Sequence, residues 1–85
     1  MPEISRFFGI VIAMYYRDHP PPHSHAVYAS FEAQIRIDPP GLLNGDLPPR
    51  ALSMVVEWAA LHRAELLANW QRISTRQPPA KIEGL

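Results

Sequence analysis

The apolar residues of this chain change their spacing at Pro49, and this change constrains the fold more than any other feature. Before it, short apolar segments are separated by turn residues; after it, residues 50–74 contain no Gly or Pro and are rich in Ala, Leu, Glu and Arg. The first pattern is typical of strands and the second of a helix. We therefore expect an α+β fold: a three- to four-stranded antiparallel sheet followed by one long helix packed on it as a two-layer sandwich.

The strands are predicted from two kinds of apolar pattern. Residues 4–17 are apolar in both alternating sets, which indicates one central strand covered on both faces, with Gly9 marking a bulge or a close backbone approach. Residues 23–28 form a predicted second strand. In residues 31–37 apolar and polar side chains alternate, so one face of that strand is expected to be buried. Residues 42–49 offer a short fourth strand or a hairpin.

Two apolar groups lie on the predicted helix. The main stripe faces the sheet and consists of Leu52, Val55, Val56, Ala59, Leu66, Trp70 and Ile73. A second group, Met54, Trp58 and Leu61, falls nearly opposite on a helical wheel. Two interpretations stay open. Either loops or the N-terminal segment cover this second group, or it is an interface for another chain, because large exposed apolar clusters usually mark interfaces.

Length and composition indicate one small cytoplasmic domain. We expect a single α+β domain over residues 1–76 and an extended, partly mobile tail over residues 77–85. The chain contains no cysteine, so it has no disulfide and no Cys-type zinc site, which fits a reducing cytosol. A formal net charge of zero argues against general nucleic-acid affinity through a strongly basic surface. The apolar run near the N-terminus is too short to span a bilayer, and no membrane association is expected.

Residues 18–26, "DHPPPHSHA", combine three histidines with three prolines. His23 and His25 are two positions apart on a predicted strand, so their side chains leave the same face. From that spacing both imidazoles can bind one ion, and His19 could supply a third ligand from the loop. Three neutral histidines and a water molecule form a known catalytic zinc shell. These three residues are therefore candidate ligands of a divalent metal such as zinc.

Two other interpretations of the histidines stay open. Hydrogen bonds from the imidazoles could tie the proline-rich corner to the sheet, because prolines lack backbone donors and a rigid loop needs side chains to anchor it. Imidazole also titrates near neutral pH, which suits metal-free acid–base catalysis by the same residues. In the catalytic interpretations, Asp18 or Glu32 could act as a base or could orient a ligand.

Arginine provides seven of the eight basic residues, and three of these lie on predicted strands or enter the loop: Arg6, Arg17 and Arg36. A guanidinium group is suited to bidentate binding of phosphate. If these three side chains share a face with the histidines, we expect them to form an anion site. The sequence has no glycine-rich phosphate loop, no Ser/His/Asp order and no cysteine nucleophile.

Three motifs resemble a family of small bacterial proteins, domain of unknown function 4160. They are the Asp-His-x-Pro-Pro-His-x-His-Ala block at residues 18–26, the Leu-Pro-Pro-Arg helix entry at 47–50 and the Glu-Trp-Ala helix centre at 57–59. The resemblance covers nearly the whole chain. It implies a bacterial, cytoplasmic setting and a small protein partner, because such proteins are often encoded beside domain of unknown function 2442, as in a toxin–antitoxin pair. It implies no activity, ligand or catalytic residue.

The first hypothesis is therefore a protein-interaction module, one component of a toxin–antitoxin-like pair, which forms a homodimer or binds a co-encoded protein of the 2442 type. The second is a small hydrolase, such as an RNase, in which His19, His23 and His25 act as acid–base groups or metal ligands. The third is a regulator that binds RNA or DNA. Taken together, the sequence features favour the interaction module over an enzyme.

Overall fold

The computed structural model describes residues 2–85, which form five strands and two helices. The elements are β1 (Glu3–Phe7), β2 (Ile10–Ala13), β3 (His23–Tyr28), β4 (Phe31–Arg36), β5 (Gly41–Gly45), α1 (Pro49–Leu61) and α2 (Arg63–Ser74). The strands form one sheet in chain order, and every neighbouring pair is antiparallel. The α+β class and the antiparallel sheet are confirmed. The expectation of three to four strands and one long helix is wrong, because the first strand and the helix are each divided.

Residues 4–17 form a hairpin and the start of a loop instead of one central strand. Phe8 and Gly9 both have positive φ, 49° and 77°, and Phe7 pairs directly with Ile10. Positive φ at both central residues is the geometry of the type I′ turn, whose twist suits a two-residue hairpin. Gly9 therefore marks a turn, and the predicted bulge at this position is wrong. Both strands of the hairpin contribute to the same core, which explains the long apolar run.

The helices cover one face of the sheet, and the core lies between the two layers. Strand side chains and helix side chains contribute to it in similar number. The fully or almost fully buried members from the strands are Ile4, Phe7, Ile10, Ile12, Ala26, Ala33 and Ile35, and those from the helices are Ala51, Val55, Trp58, Ala59, Leu66 and Ile73. In the part of the chain that the structure describes, neither helix is both long and apolar enough to cross a membrane.

The long predicted helix is interrupted at His62. The backbone of His62 has φ −115° and ψ 26°, outside the helical region, and α2 starts at the next residue. No proline or glycine accompanies this interruption. The buried stripe of the two helices runs through Ala51, Val55, Trp58, Ala59, Leu66, Asn69 and Ile73. It is thus rotated from the predicted stripe, and Trp58 belongs to it.

The second apolar group does not form one exposed patch. Trp58 has no exposed surface, and its ring centroid lies 5.4 Å from that of Phe7. Met54 is half-buried against the core, whereas Leu61 is 69% exposed. Two of the three interface candidates are therefore packed wholly or partly within their own chain. The reason is the rotated stripe, together with the C-terminal segment that covers this part of the helix.

Residues 77–85 contain neither helix nor strand, but they are bonded to the first strand. The backbone N–H of Ile82 donates to the carbonyl of Ile4 at 2.7 Å, and the ammonium group of Lys81 donates to the carbonyl of Glu3 at 2.8 Å. The side chain of Ile82 is buried in the core. These contacts attach the extended tail to β1 and to the core; its expected mobility stays a prediction.

The same segment is bonded to both helices. The indole N–H of Trp58 on α1 donates to the carbonyl of Glu83 at 2.8 Å. On α2, the amide side chain of Asn69 makes two hydrogen bonds with the backbone of Ala80. The C-terminal segment therefore joins β1, α1 and α2, and it closes the end of the core at which they meet.

Candidate metal centre

Three chemically active side chains, Asp18, His23 and His25, converge beside the first half of β3. The two histidines occupy alternate positions on the strand, so both leave the same face of the sheet. They alternate with Ser24 and Ala26, and Ala26 is part of the core, so the two imidazoles leave the other face of the strand. At the start of β3, however, the ring of His23 also reaches Trp70 of α2. The loop of residues 14–22 returns over that face and places the Asp18 carboxylate against both rings.

The ligand atoms of the three residues are close enough to bind one ion. Nε2 of His25 lies 2.9 Å from Oδ2 of Asp18, and Nε2 of His23 lies 3.4 Å from the same oxygen. One ligand atom from each residue can be chosen so that all three lie within 4.8 Å of one another. Bonds of about 2.0–2.1 Å in a tetrahedral zinc site place ligand atoms about 3.4 Å apart. The cluster therefore needs only small side-chain adjustments to hold an ion.

The opposite nitrogen of each imidazole faces an oxygen acceptor. Nδ1 of His23 lies 2.8 Å from the carbonyl oxygen of Pro21, and a carbonyl can only accept, so Nδ1 carries the proton. The lone pair of His23 is thereby assigned to Nε2, on the side of Asp18. Nδ1 of His25 lies 3.6 Å from a carboxylate oxygen of Glu32. Metal-binding histidines typically have the second nitrogen bonded to a carbonyl or a carboxylate. His23 meets this condition, whereas the distance from His25 to Glu32 is too long for a hydrogen bond.

His23 has a polar atom that no described residue satisfies. The residue is only 4% exposed, and its Nε2 is buried without a hydrogen-bond partner among residues 2–85. Nδ1 of His25 is in the same condition. A buried polar atom without a partner is destabilising, and such atoms are uncommon in folded proteins. Because the unsatisfied Nε2 of His23 lies on the side of Asp18, an ion bound between them would satisfy it.

Aromatic side chains pack around the two imidazoles. The ring of Tyr15 meets that of His25 edge-on at a centroid distance of 4.3 Å, and Trp70 of α2 lies 5.4 Å from His23. Burial raises the pKa of the Tyr15 phenol, and the nearby carboxylates of Glu32 and Asp18 raise it further. The phenol is therefore neutral at neutral pH. These rings hold the imidazoles in place and limit the access of water to them.

A cavity of about 520 Å³ lies beside the cluster, between the β2–β3 loop and the C-terminal end of α2. Asp18 is the member of the cluster that lines it. The remaining lining residues come from the loop and from the end of the helix: Tyr16, Arg17, Trp70, Ile73, Ser74 and Arg76. A ligand in this cavity would thus approach the cluster from the side of the Asp18 carboxylate.

Two of the three predicted histidine ligands lie in the cluster. His19 is exposed on the loop and is not part of it. Asp18 occupies the third position, because the loop turns its carboxylate, and not the neighbouring imidazole, toward β3. Trp70 and Arg76 were not identified as site residues from the sequence, since the meeting of the β2–β3 loop with the end of α2 is a tertiary contact. No local pattern marks that contact.

The three candidate arginines do not share one site. Arg6 on β1 forms an ion pair with Glu3 at 2.8 Å, and this hydrogen bond lowers the pKa of Glu3 from its ordinary value. Arg36 donates from Nε to the carbonyl oxygen of Pro39 at 3.1 Å. Only Arg17 lines the cavity. The predicted group of three is thus divided, because strand register and local hydrogen bonds hold the other two guanidinium groups elsewhere.

Fold and cluster together describe a small α+β protein with an antiparallel sheet and a buried His–His–Asp constellation beside the start of β3. The family model of domain of unknown function (DUF4160) matches residues 9–71, and the chain belongs to this family. The family inferred from the three sequence motifs is thereby confirmed. The match includes Asp18, His23 and His25, whereas Arg76 and the C-terminal segment lie beyond it. No curated protein and no solved structure matches the chain.

Proposed function

We propose that the protein is a small metal-dependent hydrolase whose divalent cation is held by Asp18, His23 and His25. The convergence of these three side chains carries the proposal. One ligand atom from each of the two buried histidines and from Asp18 can be chosen so that all three lie within 4.8 Å of one another, and Nδ1 of His23 is hydrogen-bonded to the carbonyl oxygen of Pro21. If the histidines only tied the loop to the sheet by hydrogen bonds, Nε2 of His23 would be expected to have a partner. It is instead buried without one, which favours an ion.

The ligand set favours zinc. Two neutral imidazoles and one carboxylate are ligands that zinc accepts, and three protein ligands leave one position open for water or substrate. Calcium and magnesium prefer sites made mainly of oxygen atoms, so they fit this cluster less well. A zinc ion lowers the pKa of its bound water to about 7, which supplies a nucleophile for hydrolysis. Because Asp18 lines the cavity, the open position is expected on that side.

Metal-free acid–base catalysis has less support. Asp18 is hydrogen-bonded to Nε2 of His25, so the nitrogen left to act as a base is Nδ1. That atom is buried beside Glu32, and His25 does not line the cavity. A general base must reach the proton that it removes, directly or through one water molecule. Neither imidazole meets this condition for a substrate in the cavity.

Zinc titration of protein purified without a histidine tag tests the proposal. After dialysis against a chelator, calorimetry should detect one zinc ion per chain. His23→Ala and His25→Ala should each weaken binding about a hundredfold or more, and the matched control His19→Ala should not, because His19 is exposed outside the cluster. Circular dichroism checks that each variant is folded. Unchanged zinc affinity in both cluster variants would reject the site.

The hydrolytic part of the proposal is tested separately with bis(p-nitrophenyl) phosphate. Zinc-loaded protein should release p-nitrophenolate, and both the chelated protein and zinc-treated His23→Ala should lose this activity. His19→Ala again serves as the control. Zinc binding without any hydrolysis would leave a structural metal site and would exclude the hydrolase.

An interaction role is the second proposal, and the exposure of two large apolar side chains supports it. Leu61 at the end of α1 is 69% exposed, and Phe8 in the first hairpin turn is 68% exposed. Native mass spectrometry of the wild type and of Leu61→Ser tests the homodimer, which the substitution should dissociate. The mixture with a co-encoded protein of the 2442 type tests the other proposed partner. If the chain is a monomer and forms no complex with this co-encoded protein, the proposed interaction role is contradicted.

A further inference from the structure

The cavity beside the candidate metal centre carries two guanidinium groups that are not neutralised. Arg17 enters it from the β2–β3 loop and Arg76 from the residues after α2. Among the described residues, neither side chain has a hydrogen-bond or ion-pair partner. The one carboxylate in the lining is Asp18, which already lies against His25. The cavity therefore favours an anion, and a guanidinium pair is suited to phosphate.

The same cavity presents two aromatic side chains. Tyr16 is 40% exposed, and Trp70 is half-buried with its ring held near His23. Exposed aromatic rings stack on nucleobases, which contributes about 1–3 kcal/mol per base. The volume of about 520 Å³ lies within the usual range of small-molecule pockets and is matched to a single nucleotide unit better than to a folded partner. Phosphate-binding and base-stacking groups thus line the same cavity.

We propose that this cavity binds one nucleoside monophosphate unit, either free or as part of a nucleic-acid strand. The phosphate lies between Arg17 and Arg76, and the base stacks on Tyr16, the more exposed of the two rings. The inference rests on the proposed hydrolase and names its substrate class, a phosphate ester of a nucleoside. In the reaction, water adds its oxygen to phosphorus, the P–O bond to the leaving sugar oxygen breaks, and that oxygen receives the proton of the water. No other reactant is required.

Calorimetric titration of the full chain at low salt tests the ligand class with three probes: adenosine 5′-monophosphate, adenosine and ribose 5-phosphate. The complete nucleotide should bind at least about tenfold more tightly than either fragment, because only it engages both the guanidinium pair and the aromatic rings. Equal affinity for nucleotide and adenosine would overturn the phosphate site. Equal affinity for nucleotide and ribose 5-phosphate would overturn base stacking.

Substitutions assign the roles of individual residues. Arg17→Ala and Arg76→Ala should each weaken nucleotide binding about tenfold and leave adenosine binding unchanged. Arg50→Ala is the matched control, because Arg50 is exposed on α1 and does not line the cavity. Tyr16→Ala should weaken nucleotide and adenosine equally. The same loss in Arg50→Ala as in Arg17→Ala would mean non-specific attraction and would overturn the site.

Further titrations distinguish a free nucleotide from a nucleic-acid strand as the ligand. They also distinguish failure of the nucleotide site from failure of the proposed hydrolase. A pentaribonucleotide that binds more than about tenfold more tightly than the mononucleotide identifies a strand as the ligand, and equal affinities identify the free nucleotide. Titration of His23→Ala in chelator should retain nucleotide binding, since His23 does not line the cavity. Zinc binding without nucleotide binding would overturn this inference alone. Nucleotide binding by a wild-type protein that binds no zinc in the zinc titration would overturn the hydrolase alone.

Discussion

Asn69 is bonded to both backbone groups of Ala80: its Nδ2 donates to the carbonyl oxygen and its Oδ1 accepts the N–H, each at 2.8 Å. Arg72 donates to the same Oδ1, also at 2.8 Å. The Asn69 side chain has no exposed surface, so these bonds replace those that it would make with water. They explain why an amide side chain lies in the core-facing stripe of α2.

Asn69→Ala should therefore be strongly destabilising. The substitution removes two hydrogen bonds to Ala80 and leaves a small cavity, so we expect the free energy of unfolding to fall by about 2–3 kcal/mol. Urea denaturation followed by circular dichroism measures it. Asn44→Ala is the matched control, because the Asn44 side chain is exposed and accepts a hydrogen bond only from the N–H of its neighbour Gly45. A loss below about 0.5 kcal/mol for both variants would show that the C-terminal segment is not held through Asn69.

Two glycines of β5 should differ in their tolerance of alanine. Gly45 has φ 86°, and an added Cβ would lie 2.4 Å from the carbonyl oxygen of Glu32, so Gly45→Ala should cost about 2 kcal/mol or more. At Gly41 the nearest atom to such a Cβ is a terminal nitrogen of Arg36, 3.7 Å away. Gly41→Ala should be close to neutral in the same urea denaturation assay. A similar loss at both positions would contradict the close approach of β4 and β5 at Gly45.

Trp58→Phe should lower stability without any effect on oligomeric state. The substitution retains most of the buried ring and removes the N–H donor to Glu83, which corresponds to about 1 kcal/mol. Trp58→Ala should cost about 3–5 kcal/mol, because it empties a fully buried site. Denaturation and native mass spectrometry measure the two properties. A change of oligomeric state in Trp58→Phe would instead place Trp58 at an interface.

Glu32→Gln should weaken zinc binding although Glu32 is not a ligand. Its carboxylate lies 3.6 Å from Nδ1 of His25 and is the group that can orient this ring. Loss of such a partner typically lowers metal affinity about 10–100-fold. Glu57→Gln, an exposed position on α1, is the matched control. Unchanged zinc affinity in Glu32→Gln would leave His25 oriented by Asp18 and Tyr15 alone.

Zinc should raise the stability of the folded protein. At a free concentration one hundred times the dissociation constant, an ion that binds only the folded state adds about 2.7 kcal/mol to the free energy of unfolding. Thermal denaturation with and without zinc should show this increase in the wild type and in His19→Ala, and excess chelator should reverse it. His23→Ala, with its affinity lowered about a hundredfold or more, should gain no more than about 0.4 kcal/mol at the same concentration. An equal increase in His23→Ala would point to binding elsewhere on the chain.

The central hairpin was predictable because its information is local. β3 and β4 show strand-forming residues on both sides of a two-residue turn, and the structure has them at His23–Tyr28 and Phe31–Arg36. The first hairpin was missed because Phe8–Gly9 lacks the Asn-Gly or Asp-Gly signal of such turns. The interruption at His62 was missed because no helix-breaking residue accompanies it, so periodicity alone predicted one continuous helix.

The candidate site likewise has features that the local sequence predicts and features that depend on tertiary packing. That His23 and His25 leave the same face of a strand follows from their spacing, and the structure places both in β3. The choice between Asp18 and His19 as the third residue depends on the path of a loop with no periodicity, which the sequence pattern does not determine. Arg17 and Arg76 are 59 positions apart, and only the packing of α2 brings both to the cavity.

The bond between Ile82 and Ile4 has a consequence for how the protein is made. β1 is synthesised well before the C-terminal segment, and one end of the core stays open until residues 80–83 have been synthesised and have packed against it. The five-stranded sheet can form early in synthesis. Trp58 and Ile4, in contrast, gain their hydrogen-bond partners Glu83 and Ile82 only when the C-terminal segment has been translated. A released chain that lacks residues 80–83 would therefore expose apolar side chains at this end of the core, where chaperones bind.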